Sequence, residues 1–506
     1  MALVKIKSGG VWGIEGFEVD VEIDISPGLP SFNIVGLPDT AIKESKDRVK
    51  SAIKNLGYPF PQKRITVNLS PSGVKKQGTL YDLPIAVGIL TISGLIPQEK
   101  ITEFVFLGEL SLDGSLNKVS GVLPIVISLK NSGYRKFILP ASNGAEGAIV
   151  KGTETYAFGT LEDIVLFLQG EKEINPLKIT PPSEDLNFQC DLGEIIGQTL
   201  PKKALEICAA GGHNLSMIGS PGSGKSMLAK RIITILPPLE FDEALEVSRI
   251  YSVAGLLEEG FVKSRPFRSP HHTASEVAII GGGSNPLPGE VSLAHRGVLF
   301  LDELPEFSRR TIEVLRQPME DGYINISRAQ GRVRFPARFT LITAQNPCPC
   351  GNFGNPFKNC TCTPIQIRNY NTKISGPIKD RIDLTVWVDP IEKEHLLGNF
   401  KGEDSKTVRE RVLTAYRIQR ERFKNSATDF NGRMTNAQVE SYCINMMNQE
   451  AKKLLKSAVD KFNLSGRAYF RLLKVARTIA DLEQSEFLRA EHIAQALQFR
   501  IQEIPP

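Results

Sequence analysis

The chain has 506 residues, 41% hydrophobic and 23% charged, the balance of a globular protein long enough for roughly two to four domains. A net charge of +5 is too small to mark the whole molecule as a nucleic-acid binder, so any basic surface is local. Seven cysteines, an odd number, fit a reducing compartment better than a disulfide framework. Residues 1–7 lack a signal-peptide pattern, and the longest uncharged apolar stretch, residues 83–96, is too short for a bilayer. A cytoplasmic location and no membrane partner are expected.

Residues 1–168 mix strands and helices. Residues 17–25 alternate apolar and acidic positions, the pattern of a half-buried strand. Residues 39–56 place Ile42, Lys46, Val49 and Ile53 near helical spacing. Residues 64–69, 104–110 and 136–140 read as further strands, and residues 82–95 as an apolar helix. No metal cluster or nucleotide loop is evident here. The stretches Asn68-Leu69-Ser70-Pro71, Asp82-Leu83-Pro84-Ile85-Ala86, Gly108-Glu109-Leu110 with Gly114, and Ile138-Leu139-Pro140 with Asn143, together with Gly78, resemble the Lon-protease-like domain. That family pairs a serine nucleophile with an activating lysine. The resemblance puts Leu80 and Leu123 at those positions, and neither can do the chemistry, although Ser72, Ser120, Lys75 and Lys118 lie nearby. It implies a non-proteolytic α+β scaffold or interaction domain of ribosomal S5 domain 2-like fold. Residues 169–188, polar and carrying Pro176, Pro181 and Pro182, read as a linker. A helix over 201–210 follows.

Residues 219–226 read Gly219-Ser220-Pro221-Gly222-Ser223-Gly224-Lys225-Ser226, the spacing of a phosphate-binding P-loop. A short apolar strand precedes it and a helix follows, so backbone N–H groups and the helix start would face a phosphate. In that pattern Lys225 reaches the β- and γ-phosphates of ATP and Ser226 holds Mg²⁺. The apolar run 297–301 ends in Asp302-Glu303, a Walker B pattern. Asp302 would hold the Mg²⁺ through water and Glu303 would deprotonate the attacking water. A third strand over 339–344 ends at Gln345-Asn346, placing Asn346 beside the γ-phosphate; the plainer reading is a turn before Pro347. Arg381 precedes another apolar strand, where it would reach a neighbouring subunit's γ-phosphate or serve as a surface ion-pair partner.

Cys348-Pro349-Cys350 and Cys360-Thr361-Cys362 put four thiols in a Gly/Asn/Pro-rich loop, residues 346–364. The set suits a structural Zn²⁺; free thiols or a redox disulfide are the other readings. Residues 321–335 read as a hairpin whose tip carries Arg328, Arg332 and Arg334. Its basic tip would grip DNA phosphates or lie as a solvated face. His271 and His272 have no evident partner cluster and suit packing or a DNA-facing loop.

Ser269-Pro270-His271-His272-Thr273, residues 289–304 and residues 375–384 resemble the AAA+ ATPases, and more closely their magnesium-chelatase-like branch. The related branch has a pore-facing hairpin where 321–335 lies. Beyond residue 400 the chain turns helical, with helices expected over 407–423, 452–462, 466–482 and 489–502. This end resembles the AAA+ lid, with Arg467 at the sensor-2 position and Arg471 as the fallback. The order of parts, namely a Lon-like domain over 1–168, an ATPase core over 189–395 and a helical end over 396–506, is similar to the ComM-type, or YifB-type, proteins across essentially the whole chain. That similarity implies an α/β P-loop ATPase that self-associates into a ring, expected to be a hexamer, and acts on DNA as a branch-migration helicase in recombination or natural transformation. The alternative is a magnesium-chelatase-type ATPase subunit that remodels a protein or metal-insertion partner. A third reading, a binding protein that only senses ATP, sits poorly with the intact Asp302-Glu303 pair.

Overall fold

The computed structural model describes residues 2–179, 188–283, 285–328, 331–390 and 402–500. The first nine strands are β1 (Ala2–Trp12), β2 (Glu15–Ser26), β3 (Ser31–Val35), β4 (Arg64–Ser70), β5 (Phe104–Phe106), β6 (Glu109–Leu110), β7 (Leu116–Asn117), β8 (Lys136–Pro140) and β9 (Glu154–Phe158). Seven of them form one mixed sheet in the order β3-β4-β2-β1-β5-β8-β9. The alternation seen in β2 buries Val19, Val21 and Ile23 and turns its acids outward. β1 uses the same alternation, with Val4, Ile6 and Ser8 buried; it pairs along its whole length with β2, from Ala2 opposite Ile25 to Trp12 opposite Glu15. The sequence reading missed β1, β3 and β9.

Residues 104–110 do not make one strand. Gly108 donates its N–H to Leu80 O and accepts from Leu83 N–H, so its backbone leaves the sheet there. The chain then enters the small β6–β7 hairpin. The helix Thr40–Asn55 is capped by Asp39, whose carboxylate accepts from Ile42 N–H. The helix Asp82–Ile92 is buried on every side from Asp82 to Thr91, which is why it shows no amphipathic stripe. Leu80 and Leu123 lie inside this core, where neither offers a nucleophile or a base. Residues 171–179 run without regular structure, and Leu177 N–H donates to Thr155 O. The rest of the expected linker, from 180 to 187, falls outside the described residues.

The second sheet has five strands, all parallel, in the order β11-β14-β17-β10-β18. These are β10 (Leu215–Ile218), β11 (Phe267–Arg268), β14 (Val298–Leu301), β17 (Thr340–Gln345) and β18 (Leu384–Trp387). Its inner strands read as unbroken apolar runs because both faces are covered, and β10, β14 and β17 are buried throughout. Two hairpins, β12 (Gly281–Gly282) with β13 (Leu287–Pro288) and β15 (Tyr323–Arg328) with β16 (Gly331–Pro336), stand outside this sheet. The carboxyl ends of β10, β14 and β17 lie side by side where the strand order reverses, the usual ligand position in an open α/β sheet.

The helices Ser405–Arg422, Gln449–Phe462, Gly466–Leu482 and Ala490–Gln498 share one hydrophobic core with β10, β14, β17 and β18. Buried Asp481 anchors them through Arg422 at 2.6 Å and Arg477 at 2.8 Å. The last expected helix stops at Gln498, with 501–502 outside the described residues.

A helix absent from the sequence reading, Phe241–Val253, joins the two sheets. Phe241 and Leu245, with Phe261 beyond it, extend the core of the first sheet. Arg249 pairs with Glu15 at 3.0 Å. Ser252 accepts from Gly121 N–H through its carbonyl, and its hydroxyl donates to buried Glu146. Among the described residues no helix is long and apolar enough to cross a membrane.

Candidate functional site: the ends of three parallel strands

β10 runs into the loop 219–226. A side chain at Gly219 would meet Val388 O at 2.2 Å, and Gly222 and Gly224 have φ of +78° and +93°, so glycine is required for closeness at the first and for handedness at the others. The helix Lys225–Arg231 starts directly behind them. Lys225 Nζ donates to Gly219 O at 2.7 Å and Ser220 O at 2.9 Å, and lies 3.4 Å from Asn346 Oδ1. Burial lowers its pKa to about 8, against the pull of Asp302 and Glu303. The third strand therefore delivers Asn346 to the lysine, and Gln345 O accepts from Gly219 N–H.

Ser226 Oγ donates to Asp302 Oδ2 at 2.6 Å. A hydroxyl and a carboxylate that close together fit the oxygen-ligand shell of Mg²⁺. Asp302 Oδ1 accepts from Glu303 N–H, and Glu303 takes a left-handed backbone with φ of +52°. Its half-exposed carboxylate stands 3.8 Å from His272 Nδ1, and the His271 and His272 rings lie 4.1 Å apart. His272 thus lies at the same end of the sheet as Glu303, a place the spacing of the sequence did not reveal.

The two candidate arginines are elsewhere. Arg381 donates to Pro377 O at 2.6 Å and pairs with Glu320; it faces the helix Arg316–Asp321, and among the described residues it makes no hydrogen bond or ion pair with its own P-loop. Arg467 is exposed at the start of the helix Gly466–Leu482. Arg471, one turn on, donates to Ile382 O at 3.1 Å, and burial lowers its pKa to about 10.

The four loop thiols converge. Cys348 Sγ lies 3.4 Å from Cys350 Sγ and 3.7 Å from Cys360 Sγ, Cys350 Sγ lies 3.6 Å from Cys360 Sγ, and all four sulfurs fall within 4.8 Å of one another. A tetrahedral zinc with bonds of about 2.3 Å sets its sulfurs about 3.8 Å apart, so the set fits that ion. The thiols share their protons: donation from the backbone N–H of Asn352 helps draw Cys350 down, while Cys360 and Cys362 beside it are pushed up by burial and by the neighbouring sulfurs. The loop folds back on the P-loop: Asn355 Nδ2 donates to Ser220 Oγ at 3.1 Å, and a side chain at Gly351 would strike Pro221 Cδ at 2.5 Å.

The β15–β16 hairpin turns Ile324, Ile326, Val333 and Phe335 inward. Arg332 and Arg334 share its outer face with Asn325 and Ser327. The Arg334 guanidinium stacks 3.4 Å above the Tyr323 ring. Arg328 is exposed beside it, while residues 329–330 at the turn fall outside the described residues.

A parallel sheet with β17 inserted between the P-loop strand and the strand leading to Asp302 defines a P-loop nucleotide-binding core of AAA+ type. Family models described as magnesium chelatase subunit ChlI match residues 191–396, its C-terminal part matches 402–500, and a further ChlI model matches 21–143. Competence protein ComM of Haemophilus influenzae is 42% identical over 508 residues, 99% of this chain and 98% of that protein. YifB of Salmonella typhimurium, an uncharacterized protein, is 41% identical over 99% of this chain and 97% of its own length. Lon protease 2 of Bacillus subtilis is 24% identical over 194 residues, 35% of this chain and 33% of its own. The chain belongs to the ComM/YifB-type magnesium-chelatase-like AAA+ proteins.

Proposed function

We propose that this chain is an ATP-driven ring motor acting on DNA, a branch-migration helicase of recombination or natural transformation. The observation that carries the reading is the meeting of Lys225, Ser226, Asp302, Glu303 and Asn346 at three strand ends, in a chain that also presents an exposed basic hairpin. The end-to-end similarity to a competence protein supports the DNA client.

In this reading the N–H groups of 219–226 and Lys225 bind the β- and γ-phosphates of ATP. Ser226 and Asp302 hold Mg²⁺, which would screen the phosphate charge that builds up in transfer. Glu303 accepts the proton of the attacking water, and Asn346 Oδ1 orients that water or the γ-phosphate. Arg381 acts on the nucleotide of a neighbouring subunit, which explains why it faces away from its own P-loop, and Arg467 reaches the nucleotide from the lid. Cys348, Cys350, Cys360 and Cys362 hold a structural zinc. Arg328, Arg332 and Arg334 contact DNA phosphates.

The test is steady-state ATP hydrolysis with and without four-way-junction, duplex and single-stranded DNA at two salt concentrations. Stimulation that weakens with salt is expected. The magnesium-chelatase family models favour a second reading, an ATPase that drives a metal-insertion partner. Hydrolysis indifferent to every DNA, with a large metal-binding protein co-purifying, would replace the first reading with the second.

A further inference from the structure

The turn between β1 and β2 leaves the first sheet and docks on the β15–β16 hairpin. Gly13, at φ of +64°, allows it: a side chain there would meet Val333 Cγ1 at 2.4 Å. Trp12 and Ile14 on either side join the hairpin's apolar cluster, and the indole of Trp12 lies over Gly331, 3.6 Å from where a side chain would begin. Arg249 clamps the turn from behind by donating to Ile14 O and pairing with Glu15.

A pocket of about 540 Å³ opens between turn and hairpin. Trp12 and Tyr323 give it aromatic walls, and Arg332, Arg334 and Arg338 give it positive charge. Three carboxylates also line it: Glu15 is taken by Arg249 and Glu246 by Arg296, while Asp321 stands exposed at the hairpin's base. Among the described residues, none of Arg332, Arg334 and Arg338 has a carboxylate within ion-pair distance, although Arg338 is near enough to help hold the Asp429 carboxyl low. The Trp12 wall beside these guanidinium groups, which outnumber the pocket's one uncommitted carboxylate, suits one chemistry: a flat base joined to a phosphate.

We infer that this pocket takes one unstacked base of single-stranded DNA, stacked on Trp12, with its flanking phosphates on Arg332 and Arg338. The inference rests on the DNA reading of the hairpin and adds the first sheet to it: the amino-terminal part of the chain supplies the stacking residue. Duplex DNA keeps its bases stacked on one another and offers none to the pocket.

The chain has two tryptophans, so Trp387→Phe leaves Trp12 as the only indole emitter. Oligothymidylate is expected to quench that emission, and thymidine monophosphate at the same nucleotide concentration is not. In the otherwise native chain, Trp12→Ala is expected to weaken oligothymidylate binding about tenfold, measured by anisotropy of labelled DNA, while Trp12→Phe keeps most of the affinity. Full binding of oligothymidylate with unchanged Trp12 emission overturns the inference and leaves the hairpin reading standing. Equal quenching by the mononucleotide overturns it in favour of a free-nucleotide site. If Trp12→Ala fails to fold, as its melting curve would show, the emission of the Trp387→Phe protein decides alone. Failure of the wild-type chain to bind any DNA overturns the hairpin reading, and the inference falls with it.

Discussion

Lys225 sits in a pocket that lowers its pKa to about 8, and only its protonated form attracts phosphate. Burial disfavours the ammonium, whereas a bound triphosphate holds the proton on. Apparent ATP affinity should therefore be flat below pH 8 and fall about tenfold per pH unit above it, as titrations at pH 7 and pH 9 would show. Glu303 carries the opposite task. Glu303→Gln should keep ATP affinity and lower turnover by about 100-fold or more, and single-turnover hydrolysis measures both halves of that statement. At this scale the sequence was informative where chemistry needs fixed spacing. Eight consecutive residues announced the P-loop, and an apolar run ending in two acids announced Asp302 and Glu303. It gave His272 only packing or a DNA-facing loop; the residue lies 31 positions before Glu303 by their numbers and comes near it because β11 and β14 are neighbours in the sheet.

The cysteine loop shows the same limit one scale up. Paired C-x-C spacing made readable a cluster of four thiols able to hold a metal. Its seat against Ser220 and Pro221 was not, because loop and P-loop are brought together by β17 and β10 rather than by sequence proximity. Elemental analysis should find about one zinc per chain and none after Cys360→Ser. That variant should also weaken ATP binding several-fold, and Asn355→Ala should do so to a smaller degree with the zinc kept. Among the strands, β2 and β8 were legible from alternation and a short apolar run. β1 carries the same alternation, but only Val4 and Ile6 show it before Ser8-Gly9-Gly10 interrupts the apolar pattern. The break after β5 depends on hydrogen bonds from Gly108 to residues 80 and 83, a tertiary choice that no local pattern encodes.

For the whole molecule, the test of ring assembly lies in Arg381. It is tied to Glu320, and in the proposed ring it serves the nucleotide of a neighbour. Arg381→Ala and Glu303→Gln proteins should each be nearly inactive alone. Mixed together they should regain hydrolysis, up to about a quarter of wild type, because some neighbours then combine an intact glutamate with an intact arginine. A mixture that stays inactive would place Arg381 outside the active site. The packing of the first sheet on the ATPase core was hidden from the sequence altogether, since helix Phe241–Val253 carries no motif. That helix has a practical consequence. Its Phe241 and Leu245 complete the core of a sheet built from the first 158 residues, and Gly260 lies against Ala145 so closely that a side chain would reach its Cβ at 2.6 Å. Cutting the gene after residue 188 would strip this seam and leave greasy surface in water on both fragments. Neither fragment would then carry its own finished surface, and the chain is better handled as one piece.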